Sequence, residues 1–211
     1  MHGQNANRRE ALRSLRAVHD AGMTSLVITY RNDEGAPRNP DARLHYGETE
    51  WRDLDAAVTF AREHGARRIV INGFSMGGGI ALAFLLHSEQ ADAISGVILD
   101  APMLDFRETV EFRAPASVPM SLVRVGEWIA GMRFDIDWGA TDYAARADEY
   151  RVPMLIFQGS SDTRVPPAKA RAFATAVPGP VTFVETGAGH VRSWNEDPVG
   201  YESALAAFLA H

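Results

Sequence analysis

Short apolar runs of strand-forming residues recur along this chain, each separated from the next by a stretch with helical spacing. This alternation constrains the fold more than any other feature. A strand buried on both faces reads as a continuous apolar run, and strands joined through helices lie parallel. Residues 24–30, 68–72, 96–100, 153–157 and 181–184 read as such strands. Residues 7–21 read as a helix, with Asn7 as cap, Glu10 three residues on, and Leu12, Leu15 and Val18 on one face. Residues 50–64 repeat the pattern with Trp51, Leu54, Val58 and Ala61, and Gly22 and Gly65 stand where these two helices should stop. Residues 76–88 form a strongly apolar helix, Pro166-Pro167 opens one through Val177, and Asp197-Pro198 opens the last, with Tyr201, Leu205, Phe208 and Leu209 inward. The expectation is an α/β fold, a mainly parallel sheet flanked by helices.

With 211 residues the chain suits one domain, residues 1–211. Residues 101–150, with several prolines and aromatics, interrupt the alternation and read as a small cap-like insertion, with a helix across 119–132. The net charge of −6 argues against nucleic acid or an anionic membrane surface as partner. The absence of cysteine excludes disulfides, thiolate catalysis and thiolate metal sites. No apolar run approaches the roughly 20 residues of a membrane span. The first nine residues lack the apolar core of a secretory signal, so a cytoplasmic location is expected.

Gly73-Phe74-Ser75-Met76-Gly77 lies where strand 68–72 meets helix 76–88. A serine on so tight a strand-to-helix turn holds a strained backbone, and glycine two residues to either side removes the clash that a Cβ would make. The helix starts at once, so its terminal amides face any anion that forms beside Ser75. The same turn could merely bind a phosphate, but neither G-x-G-x-x-G nor G-x-x-x-x-G-K-[ST] is present. Asp162 follows strand 153–157, and His190 lies past the last strand and before the last helix. In a parallel sheet these loops gather on the side where Ser75 sits. A serine hydroxyl is a poor nucleophile until a histidine takes its proton and an acid fixes the imidazole tautomer, so Ser75, His190 and Asp162 read as nucleophile, base and acid. Asp100, at the end of an earlier strand, competes with Asp162 for the acid role.

These three motifs, Gly73 to Gly77, Gly159 to Pro166 and Gly187 to His190, resemble the α/β-hydrolase family over essentially the whole chain. The subgroup resembled is that of bacterial hydrolases related to serine aminopeptidases and prolyl-oligopeptidase catalytic domains, with Tyr30-Arg31-Asn32 after an early strand. The resemblance extends to His2-Gly3-Gln4. In the family a His-Gly pair ends the third strand and the next residue supplies an oxyanion-hole amide, which implies the backbone N–H groups of Gln4 and Met76. A disordered start is the alternative reading of His2-Gly3. By the same resemblance the first three strands are missing before Met1, so residues 24–30 should form a strand without a neighbour, or upstream sequence should supply the rest.

The implied chemistry is ester hydrolysis through an acyl-enzyme, carboxylesterase-like, on a small-molecule acyl substrate, with no cofactor and no metal. Phe106, Trp128 and Trp194 are candidate pocket residues, although such aromatics equally pack a small helical layer or anchor a loop. Two rivals remain: a serine peptidase of prolyl-oligopeptidase or aminopeptidase type, and a non-catalytic α/β-hydrolase-like protein or inactive fragment.

Overall fold

The computed structural model describes residues 1–210. Four parallel strands, β1 (Ile69–Phe74), β2 (Ile94–Asp100), β3 (Met154–Gly159) and β4 (Val181–Thr186), lie in the sheet in chain order. Each junction contains a helix, which is what a parallel pairing requires. The helices are α1 (Leu12–Asp20), α2 (Trp51–Glu63), α3 (Met76–His87), α4 (Phe106–Arg113), α5 (Met120–Phe134), α6 (Pro167–Ala176), α7 (Ser193–Glu196) and α8 (Pro198–Leu209).

The period of two along β3 divides the core. Met154 and Ile156 face the cluster built with Leu54 of α2, Phe84 of α3 and Phe173 of α6. Leu155 and Phe157 face Ala17 of α1 and Tyr201 and Leu205 of α8. All four are fully buried, and each such side chain contributes about 1.5–3 kcal/mol through its removal from water. α3 is buried from Met76 through Phe84, so it shows no polar face in that stretch. Asn7 caps a short 3₁₀ turn, Arg8–Ala11, by accepting from the Arg9 N–H, and α1 follows directly. Gly22 and Gly65 end α1 and α2 at positive φ. Among the described residues, no helix is long and apolar enough to cross a membrane.

Residues 24–30 join no ladder, which is the expected outcome for a strand without a neighbour, and the sheet begins at β1 instead. A cavity of about 190 Å³, lined by Val27, Ile28, Val58, Ile69 and Ile71 among others, separates them from the edge of β1, and no ladder can form across it. Met1 occupies the top of that edge. Its nitrogen donates to the Asn72 carbonyl and its own carbonyl accepts from Phe74 N–H at 3.0 Å, the bonding pattern of a parallel bridge. The segment between β2 and β3 carries α5 near the expected place, and also α4, which the sequence reading missed. Asp105 caps α4 by accepting from the Glu108 N–H at 3.0 Å.

Candidate active site

β1 runs into α3 through one residue, Ser75, whose backbone sits at φ 50° and ψ −115°. A non-glycine residue there is strained, and its neighbours must hold it. Ser75 N–H donates to the Asp100 carbonyl (2.9 Å), and the Ser75 carbonyl accepts from Met103 N–H (3.0 Å), which ties the turn to the end of β2. The flanking glycines leave no room for a side chain. A Cβ on Gly73 would lie 2.5 Å from the Gly77 oxygen, and one on Gly77 would lie 2.5 Å from the Met1 oxygen and 2.8 Å from that of His2.

The loops after β3 and β4 meet over this turn. His190 Nε2 lies 2.9 Å from Ser75 Oγ, and His190 Nδ1 lies 2.7 Å from Asp162 Oδ2. The other Asp162 oxygen accepts from the N–H groups of Arg164 (2.7 Å) and Val165 (3.0 Å). Burial alone would raise the Asp162 carboxyl. The hydrogen bond and charge of His190, with the two amides, outweigh it and hold the group below the ordinary carboxylate range. Gln158, fully buried on β3, donates from Nε2 to Asp162 Oδ2 at 3.2 Å. Asp100 is elsewhere employed: its carboxylate accepts from the Tyr201 hydroxyl (3.1 Å), and burial pushes it up to about 7. The structure brings Asp162, and not Asp100, to His190.

The residues 2–4 loop packs against this centre. His2 is 3% exposed and stacks on the Tyr30 ring, with centroids 4.6 Å apart. The Tyr30 hydroxyl faces the carbonyls of His2 (3.3 Å) and Gly3 (3.2 Å). Gly3 N–H donates to Glu10 Oε2 (2.7 Å), and Glu10 Oε1 lies 3.9 Å from Arg13, whose Nη1 donates to the Val191 carbonyl (2.5 Å). Glu10 and Arg13 thus link the residues 2–4 loop to the His190 loop. In the sequence Glu10 reads only as a helix-start residue, and nothing marks Arg13. Among the described residues, neither Gln4 N–H nor Met76 N–H has an acceptor within the protein. Both residues line the cleft that holds Ser75 and His190.

That cleft encloses about 910 Å³, the size of a small-molecule site. Phe106 lines it, as the sequence suggested, together with Met103, Val110 and Tyr46. Trp128 and Trp194 do not. Trp128 is 64% exposed on α5, beside a separate hollow with Glu111 and Met132, because the α5 face it occupies turns away from Ser75. Trp194 packs into the core under α8 and donates from Nε1 to Glu202 (3.1 Å), so it anchors its loop.

A family profile described as "Serine aminopeptidase, S33" matches residues 32–134. No curated protein matches the chain by sequence. Among solved structures, the chain is similar to the esterase Pf2001 of Pyrococcus furiosus. The TM-score is 0.74 at 22% identity, over 99% of this chain and 80% of that one. It is similar to Est1E of Butyrivibrio proteoclasticus, solved with ferulic acid bound, at TM-score 0.74 and 18% identity, over 99% and 86% of the two chains. It is also similar to a monoacylglycerol lipase of Paleococcus ferrophilus, at TM-score 0.71 and 16% identity, over 100% and 92%.

Proposed function

We propose, from the premise that this chain has the α/β-hydrolase fold, that it is a serine hydrolase cleaving a carboxylic ester through Ser75, His190 and Asp162. The observation that carries the reading is the continuous relay from Ser75 Oγ to His190 (2.9 Å) and from His190 to Asp162 (2.7 Å). Ser75 Oγ attacks the ester carbonyl while His190 Nε2 takes its proton. The carbonyl oxygen becomes an oxyanion, held by the N–H groups of Gln4 and Met76, each of which contributes about 2.7–4 kcal/mol to the transition state. The tetrahedral intermediate collapses, the alcohol leaves with the proton from His190, and an acyl group remains on Ser75. Water, deprotonated by His190, then attacks the acyl-enzyme and releases the acid. Asp162 stays ionised throughout and holds the imidazole in the required tautomer.

The electrostatics of the cleft support an esterase over an aminopeptidase. An aminopeptidase must hold the free ammonium of its substrate, which calls for an unengaged carboxylate. The one acid among the residues lining this cleft, Glu10, is bound to Gly3 N–H and paired with Arg13. Turnover of a short-chain p-nitrophenyl ester by the purified protein, and its loss in a folded Ser75→Ala variant, test the proposal. Undiminished hydrolysis by Ser75→Ala would overturn the assignment of the nucleophile.

A further inference from the structure

The charges around the cleft are lopsided in a way the hydrolytic chemistry does not require. Four arginines line it, Arg13, Arg113, Arg164 and Arg192, against the single carboxylate of Glu10, in a chain whose net charge is −6. Arg13 is already engaged. Its guanidinium faces Glu10, donates to the Val191 carbonyl and lies 5.2 Å over the Phe74 ring. The other three have no such partners: among the described residues, none has a carboxylate within 4.0 Å of its guanidinium nitrogens.

Each arrives from a different element, and each backbone is fixed by the architecture of the site. Arg113 ends α4, on the cap side. Arg164 is two residues past Asp162 and donates its own N–H to that carboxylate (2.7 Å). Arg192 is two residues past His190, and its N–H donates to the Gly189 carbonyl (3.2 Å). Arg113, Arg164 and Arg192 are exposed at the rim of one concave site with no carboxylate within 4.0 Å, so their fields add there and are screened by salt. A guanidinium also presents paired donors that match a carboxylate.

Resting on the ester-hydrolase reading, we infer that Arg113, Arg164 and Arg192 select an anionic ester, one that carries a second, ionised acid group near the scissile bond. A neutral ester of the same length gains only the apolar contacts of Met103, Phe106 and Val110. The anionic one is drawn in by the field and paired with guanidinium.

The test uses two matched pairs of esters. Mono-4-nitrophenyl glutarate against 4-nitrophenyl butyrate places the charge on the acyl side. The butyrate ester of 4-hydroxybenzoate against that of its methyl ester places it on the alcohol side. In the wild-type protein at low ionic strength, the anionic member of at least one pair is expected to show a kcat/KM about tenfold higher, a preference that shrinks in molar salt. Exchanging Arg113, Arg164 and Arg192 for Gln one at a time should reduce that ratio stepwise, and the ratio within one protein sample corrects for partial unfolding. Binding of the same esters to Ser75→Ala, read by calorimetry, repeats the comparison without turnover. Turnover with equal or lower rates for both anionic esters would overturn the anionic selection and leave the hydrolase intact. Absence of turnover with an anionic preference in binding would overturn the hydrolase and leave the anion site.

Discussion

Two buried aspartates illustrate how environment assigns a role at the scale of the single residue. Asp162 accepts from His190 and from two backbone amides, and those donors keep it ionised despite its burial. Asp100 has one donor, the Tyr201 hydroxyl, with its second oxygen unpartnered, and burial prevails. Asp162→Asn should therefore lower kcat by orders of magnitude, up to about 10⁴-fold, because the imidazole loses its fixed tautomer. Asp100→Asn should change kcat by no more than a few-fold. A steady-state comparison of the two variants decides, and the reverse order would make Asp100 the functional acid. Chain order alone left both candidates open, since each follows the end of a strand. The Gly-x-x-Asp-x-x-Val-Pro setting favours Asp162, and the contacts separate the two: His190 lies 2.7 Å from Asp162, while Asp100 is taken up by Tyr201.

At the scale of the element, the strand–Ser75–helix turn depends on two missing side chains. Gly77→Ala would drive a Cβ to 2.5 Å from the Met1 carbonyl oxygen, which is backbone and cannot swing aside. The expected cost is about 1–3 kcal/mol of stability, read as a lowered melting temperature. Activity should fall further than stability, because the displaced segment carries the Gln4 amide. A Gly77→Ala protein with unchanged melting and turnover would contradict this packing. This turn was legible in the sequence because its chemistry is local: tight backbone approach demands glycine wherever the surroundings lie. The strands from 68 onward were legible as apolar runs, most clearly the two central ones, β2 and β3, which are buried along almost their whole length, while edge strand β4 has no fully buried residue. Residues 24–30 have the same composition, and it was the family resemblance rather than composition that pointed to their missing partner: a cavity separates them from the edge of β1. α4 escaped because its start, Asp105 capping Glu108, precedes a mostly polar stretch with little helical periodicity. For Trp128 and Trp194 the sequence leaves pocket lining and packing or loop anchoring equally open, because it shows an aromatic side chain without the direction it faces.

Across the whole molecule, the displaced ionisation of Asp100 couples stability to pH. Its carboxyl is raised from an ordinary 3.8 to about 7 in the folded chain, so between these values the folded state holds a proton that the unfolded state has released. Stability from this group is complete below about pH 4 and is lost as pH rises through about 7, a loss on the order of a few kcal/mol. Asp100→Asn should remove that slope. Denaturant unfolding at several pH values should show the variant gaining on the wild type from pH 4 to pH 8, and a constant difference would contradict the buried, protonated carboxyl. The central claim, that this fold activates one serine, has a more direct test in the intact mass of the protein after exposure to a fluorophosphonate, which reacts with an activated serine hydroxyl and releases fluoride. The account predicts a single adduct on the peptide containing Ser75, absent in Ser75→Ala and strongly slowed in His190→Ala. A folded wild-type protein that takes up no adduct, or one that takes it up on another residue, would contradict it.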